Sequence, residues 1–252
     1  MAAAPVLPVS PAPTPEPAPL SQGARIVDAI IAPSKTFTDL RRSAAWWAPF
    51  LLTTIVSCAL VYVAAQKIGF AKIVENQMQS QPKAAERYEK LTPEQREQQI
   101  KITGISYYVI IPVFTLLIWL VVAALQFATF RFGTNADITY SRTLAVVAYG
   151  GLPLVVKALL AIVAVLAGVS ADGFSMQNPL ATNPGYFMSP ANGVFLYGLA
   201  SALDVFMIWT LVLTAIGFTY AGKIKGTTAY VVVFGWWALL TVTFTGIAAA
   251  FS

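Results

Sequence analysis

The chain contains no histidine and a single cysteine, Cys58. Without histidine it lacks the commonest general base and the commonest metal ligand of proteins. With one cysteine it can form neither an intramolecular disulfide nor a cluster of thiolate ligands. These absences argue against an enzyme, and we expect no catalytic residues, no metal site and no cofactor.

Charge is also scarce, since charged residues make up only 11% of the chain and hydrophobic residues 57%. Soluble domains carry about 25% charged residues, so this composition is typical of a membrane protein. The formal net charge is +5. The basic residues flank the hydrophobic runs, so we assign them to orientation in the membrane and do not expect nucleic acid as a partner.

Five apolar runs are each long enough to cross a bilayer, which takes about 20 residues. They predict transmembrane helices near 48–66, 106–130, 143–168, 193–217 and 229–250. Pro112 is placed in the first turns of the second span, and Pro153 is expected to kink the third. The predicted fold class is therefore an all-α membrane protein with five spans.

The N-terminal region divides in two. Residues 1–24 are rich in alanine and proline and predict a disordered tail, so the membrane domain is expected to cover 25–252. From Arg25 onward, two short amphipathic helical patterns are separated by Pro33 and followed by two tryptophans. This pattern indicates an interfacial helix leading into the first span. A plain cytosolic linker is the alternative.

The loop at 67–105 contains polar helical patterns. Thr92, Pro93 and Gln95 form the signature of a capping box at a helix start. An earlier polar stretch, KAAERYEKL, predicts another helix. We expect an outer helical hairpin between spans 1 and 2, with its charges on a solvated face.

Lysine and arginine set the predicted orientation. They lie in the segment before the first span and in the loops after the second and fourth spans, and the loop at 169–192 has none. An excess of these residues marks the cytoplasmic side. The loop at 67–105 departs from this pattern because it is basic as well as acidic. The count predicts a cytoplasmic N-terminus and an outside C-terminus.

Two charges fall inside the predicted spans. Lys157 in the third and Asp204 in the fourth lie at similar distances from the outer span ends, which places both near the middle of a core about 30 Å thick. We therefore predict a buried ion pair between them, supported by Tyr197 and Ser201 on the Asp204 helix face. The alternative for Lys157 is a span end whose side chain reaches the headgroups.

Three segments together resemble a known family: IIAPSKTFTDLRR, RTLAVVAYGGLPLVVKALL and LASALDVFMIWTLVLTAIGF. In this order and spacing the chain resembles the Yip1 domain family over about residues 25–252. The most specific pieces contain Pro33 with Phe37, Pro153 after a leucine, and Trp209 at the end of a Leu-Asp-x-Phe-x-x-Trp motif.

The resemblance implies five spans and a cytosolic N-terminus. Eukaryotic members are tied to Golgi and endoplasmic reticulum membranes, Rab GTPases and vesicle traffic. The chain lacks the long cytosolic N-terminal domain of that branch and is more similar to bacterial members. The implied location is therefore the bacterial cytoplasmic (inner) membrane, and the vesicle function is not carried over.

The function expected is that of a non-enzymatic membrane organiser or adaptor that acts through protein and lipid contacts. The alternative is a small-solute or ion transporter that uses the Lys157–Asp204 pair. The expected partners are the lipid bilayer and an unknown membrane or cytosolic protein, with a homo-oligomer as a further possibility.

Overall fold

The computed structural model describes residues 18–79, 82–189 and 193–251. These residues form eleven α-helices and no strand. The helices are α1 (Gln22–Ile31), α2 (Pro33–Asp39), α3 (Trp47–Lys67), α4 (Phe70–Gln79), α5 (Pro82–Glu89), α6 (Pro93–Ala128), α7 (Tyr140–Gly150), α8 (Leu152–Leu166), α9 (Val194–Ala202), α10 (Val205–Ala221) and α11 (Gly226–Phe251).

Four candidate spans are formed by α3, by α6, by α7 together with α8, and by α11, which are long and apolar enough to cross a membrane. The pair α9 and α10 makes a fifth if it counts as one span, because the two helices are bent by 55° at a short break. The described residues thus contain four to five candidate spans in the positions of the five apolar runs. The all-helical fold class is confirmed.

The start of α6 follows from its first residues. The Thr92 hydroxyl accepts a hydrogen bond from the Gln95 amide, and the Gln95 side chain accepts one from the Thr92 amide, so the predicted capping box is confirmed. From there α6 runs for 36 residues, or about 54 Å. Because this exceeds the thickness of a bilayer core, its first turns project beyond the span. Pro112 therefore lies in the interior of this helix and not at its start, so its missing amide hydrogen removes a helical hydrogen bond.

The third span is interrupted at Gly151, which separates α7 from α8. Pro153 lies in the first turn of α8, where its missing amide hydrogen costs no helical hydrogen bond. Next to the break, Gly150 packs on α10: a Cβ at this position would lie 3.1 Å from the Thr214 Cα. The break and Gly150 let α7 and α10 approach closely.

The spans pack around α10, which contacts α7, α8 and α11, while α3 lies along α8. The main core includes the rings of Phe130 and Phe218, whose centroids are 4.6 Å apart. Helices α6 and α11 lie at the periphery, since few of their residues are buried within the chain.

The N-terminal helices α1 and α2 pack on the bundle, with α2 against α10. Phe37 of α2 and Leu40, which directly follows this helix, are completely buried in the main core. Helix α1 begins at Gln22, three residues before the predicted start of the membrane domain at residue 25. The predicted tail lies mostly at residues 1–17, outside the described residues.

We call the end of the bundle that contains the α6 C-terminus and the α7 N-terminus the inner end, and the opposite end the outer end. At the outer end, Ile73 and Val74 of α4 are buried, and the Asn76 amide donates to the carbonyls of Ala171 and Phe174 at 2.8 and 3.1 Å. Lys72 also pairs with Asp172 at 3.0 Å, and this hydrogen bond raises the pKa of Lys72. Helix α4 is thereby attached to the loop that follows α8.

Candidate functional site

The break between α9 and α10 places a carboxylate inside the fifth candidate span. Leu203 and Asp204 leave the helix, and Asp204 becomes the N-cap of α10, where its Oδ1 accepts a hydrogen bond from the Phe206 amide at 2.9 Å. Aspartate is among the preferred N-cap residues because its side chain satisfies a free amide of the first turn. The same residue thus starts a helix and carries the charge.

Lys157 of α8 meets this carboxylate. Its Nζ lies 2.7 Å from Asp204 Oδ2, and the two side chains are 18% and 5% exposed. The structure therefore brings together the two charges that the sequence analysis paired. Because both groups are largely removed from solvent, each depends on the other for compensation of its charge.

Further donors reach Asp204 from the loop between α8 and α9. The Thr182 hydroxyl and, at 3.1 Å, the Asn183 side-chain amide donate to Asp204 Oδ2. The Thr182 carbonyl also accepts from the Val205 amide at 3.1 Å. Asn183 is itself held by Asn178 through two amide contacts of 2.7 and 3.2 Å. The carboxylate is thus saturated by one cation and three hydrogen-bond donors.

The predicted support from Tyr197 and Ser201 is wrong. Within the described residues neither side chain is a donor to Asp204, and the buried Ser201 hydroxyl has no hydrogen-bond partner. The prediction assumed one continuous helix, in which these residues share a face with Asp204. The break at Leu203 turns α9 away, and the loop takes the place of its side chains.

The predicted depth also rested on an unbroken span. Helix α10 has 17 residues between Asp204 and the inner end, which corresponds to about 26 Å. The pair thus lies at the outer end of α10, and its depth in the bilayer stays a prediction. The loop that carries Thr182 and Asn183 reaches it from that end.

Gly185 allows the loop to approach α9. A Cβ at this position would lie 2.7 and 2.8 Å from the backbone N and Cα of Ser201. We expect Gly185→Ala to destabilise the protein by about 1–3 kcal/mol, because the backbone must move and displace the donors of Asp204. Thermal unfolding in detergent measures this. The control is Gly246→Ala in α11, where nothing lies within 4 Å of an added Cβ; equal stability of the two variants contradicts the prediction.

A second buried ion pair joins α1 to α2. Arg25 Nε and Nη2 both lie 2.7 Å from Asp39 Oδ2, and the side chains are 2% and 7% exposed. Arg25 Nη1 also donates to the Ser43 carbonyl at 3.1 Å, and the Thr36 hydroxyl donates to the Arg25 carbonyl at 2.9 Å. The guanidinium and its partners close the α1–α2 hairpin.

This pair was not predicted from the sequence, because Arg25 was interpreted only as a charge for membrane orientation. The available signal was the helix break at Pro33 between two short amphipathic helices, which allows a hairpin. Whether Arg25 then meets Asp39 depends on the angle at the break, and no local pattern specifies that angle.

The other motif residues have packing roles. Pro33 opens α2, and Phe37 lies against α10, where a Cβ on Gly217 would come within 2.8 Å of its ring. Trp209 of α10 is half-buried and contacts the ring of Phe206 at a centroid distance of 6.3 Å. None of these residues contacts the Lys157–Asp204 pair through a hydrogen bond in the described part of the chain.

The described residues contain no candidate metal site, since no three of their histidine, cysteine, aspartate or glutamate side chains form a group able to hold an ion. The polar atoms of the site are instead used in bonds within the chain. The ion pair and the hydrogen bonds of this site hold α8, α10 and the outer loop together.

Comparison with known proteins gives one match. The family model described as Yip1 domain covers residues 27–247, which include the Lys157–Asp204 pair and nearly all of the candidate spans, whereas Arg25 lies just before this range and the last residues of α11 lie beyond it. No curated protein and no solved structure matches the chain.

Proposed function

The chain belongs to the Yip1 domain family, and from this premise we propose that it is a non-enzymatic integral membrane protein that organises or links other membrane components. It acts through protein and lipid contacts. The observation that carries this proposal is the closed state of its intramembrane polar site. Lys157 and Asp204 are engaged with each other and with the outer loop, so their charges are used to hold the fold.

The peripheral helices support contact with other molecules. Helix α11 has 26 residues, of which only Ala229 and Val233 are buried. Its outward side chains include Phe244 and Val231, which are 66% and 72% exposed. In a bilayer such a face contacts lipid or another membrane protein. A helix with this much free apolar surface is suited to binding a second span.

The topology that fits this function has the inner end in the cytoplasm of a bacterial cell and the C-terminus outside. The α1–α2 hairpin then lies at the inner headgroups, where Val27 and Ile31 of α1, 56% and 72% exposed, can contact lipid. Helices α4 and α5 then form the outer hairpin.

Site-specific photo-cross-linking in native membranes tests the organiser. A photoreactive phenylalanine analogue at Phe244 should give a discrete protein adduct, whereas the same group at the buried Val233 should not. An adduct at twice the mass of the chain identifies a second copy as the partner. Adducts with lipid alone at Phe244 and at other exposed α11 positions contradict the protein-contact part of the proposal.

A small-solute or ion transporter is the second candidate, favoured by the broken span. Transporters use discontinuous helices whose interrupted backbone and helix ends contact the substrate or coupling ion. Asp204 lies at such a break, 2.7 Å from Lys157. The outer loop that covers the pair would have to open for a solute to reach it.

Flux into proteoliposomes separates the two candidates. The organiser predicts no flux of protons or of small charged solutes above that of empty liposomes, and no change in Lys157→Gln. The control is Lys101→Gln, which removes a lysine that is 70% exposed and outside the site. Flux that persists in the control and disappears in Lys157→Gln establishes the transporter and rejects the organiser.

A further inference from the structure

A cavity of about 570 Å³ opens at the inner end of the bundle. Its walls come from the segment before α3, from the α6–α7 connection and from the turn between α10 and α11. The charged residues of its lining are four cations, Arg41, Arg142, Lys223 and Lys225, and one carboxylate, Asp137. The cavity is therefore strongly basic.

The cations have no carboxylate partner within the described residues. Asp137 is fully exposed and lies 3.5 Å from Arg131, which is outside the lining. Arg142 Nη1 donates only to the Asp137 carbonyl, at 3.5 Å. The positive charge of the cavity is thus not neutralised from within the chain, which favours an anion from outside.

Arg41 adds an unsatisfied donor. Its Nη2 donates to the Tyr220 carbonyl, which fixes the side chain at the α10 end, while its Nε is buried and has no hydrogen-bond partner among the described residues. A buried donor of a charged group costs free energy when it stays unpaired. Arg41 lines the cavity, and a guanidinium is a preferred partner of anions.

The backbone is strained at the same place. Lys223 and Asn135 have φ values of 53° and 54°, and they are the only non-glycine residues of the described chain with positive φ. Both line the cavity. Backbone strain of this kind is concentrated at ligand sites, where the surrounding structure maintains it. The positive φ values of Asn135 and Lys223 thus carry a conformational cost at the wall of the cavity.

We propose that this cavity binds a phosphate group. The four cations and the arginine donors match the charge and geometry of phosphate oxygens. The cavity lies where candidate spans end, and the ends of membrane spans lie near the lipid headgroups, so an anionic phospholipid is one source and a free phosphate compound is the other. The proposal deepens the lipid-contact part of the proposed function and does not depend on any protein partner.

Native mass spectrometry of the full chain in neutral detergent tests it, with phosphatidylglycerol and phosphatidylcholine as lipid probes and inorganic phosphate as the soluble probe. Phosphatidylglycerol should bind more tightly than phosphatidylcholine. Lys223→Gln should weaken that binding about fivefold, and Lys223→Gln with Lys225→Gln roughly thirtyfold. Both side chains are exposed, so the fold should be unaffected.

Two further variants distinguish a site from general charge attraction. Lys35→Gln removes an exposed cation of α2 that does not line the cavity, and it should leave binding unchanged. Asp137→Asn removes the one carboxylate of the lining and should strengthen binding. If Lys35→Gln weakens binding as much as Lys223→Gln does, the site is rejected.

Competition identifies the source of the phosphate. Displacement of phosphatidylglycerol by inorganic phosphate at millimolar concentration supports a soluble phosphate compound, and resistance to it supports the lipid. If neither probe binds the folded chain, the proposal is overturned, whereas the cross-linking result at Phe244 is independent of that outcome.

Discussion

Replacement of Lys157 by methionine is expected to destabilise the protein by about 3 kcal/mol, because it leaves the Asp204 carboxylate buried without its cation. Asp204 is 5% exposed and lies 2.7 Å from Lys157 Nζ. The hydrogen bonds from Thr182, Asn183 and the Phe206 amide remain and keep the loss at the lower end of the range for a broken buried pair. Denaturant or thermal unfolding in detergent measures the change.

A double variant separates the charge from the side-chain volume. Lys157→Met with Asp204→Asn should recover most of the lost stability, since asparagine retains an oxygen that can cap α10 and carries no charge. Lys101→Met is the matched control: its ion pair with Glu97 is 2.7 Å long but exposed, so its loss should cost at most about 1 kcal/mol. A Lys157→Met variant as stable as this control contradicts the interpretation, and so does a double variant as unstable as the single one.

Replacement of Arg25 by methionine is expected to cost about 3–5 kcal/mol, as is usual for one partner of a buried ion pair. Asp39 would remain buried without its cation, and the bond to the Ser43 carbonyl would be lost as well. Since Arg25 joins α1 to α2, the hairpin should also become sensitive to proteolysis. The midpoint of unfolding and the rate of cleavage between α1 and α3 are the two readouts.

Lys35→Met provides the matched control in the same hairpin. Lys35 is exposed on α2, and its replacement removes the same charge without uncovering a buried carboxylate. Stability should then change by less than about 0.5 kcal/mol. If Arg25→Met unfolds and is cleaved no more readily than Lys35→Met, the Arg25–Asp39 pair does not hold the hairpin together.

The main elements of the fold could be predicted from local sequence. The apolar runs indicated the candidate spans because burial in a bilayer requires only length and hydrophobicity. The capping box at Thr92 identified the start of α6 because its hydrogen bonds join residues three positions apart. The apolar run alone marks only the membrane part of α6, and Pro112 lies in the interior of the longer helix that starts at the cap.

The candidate site could be predicted from the sequence only in part. Lys157 and Asp204 were conspicuous because charges are rare inside apolar runs, and their similar distance from the span ends suggested contact. Thr182 and Asn183 gave no comparable signal, since polar residues in a loop are ordinary. Their part in the site depends on the descent of that loop to α10, which Gly185 allows by its close approach to Ser201.

The sequence by itself determined the membrane class, the candidate spans and the rarity of their charges, because hydrophobicity and helix capping act over a few neighbouring residues. Only the tertiary structure decided the break at Leu203, the loop donors of Asp204, the Arg25–Asp39 pair and the basic cavity at the inner end. Each of these depends on residues brought together from different helices and loops. Contacts of that kind follow from the angles at which helices pack and break, and those angles are set by the whole bundle.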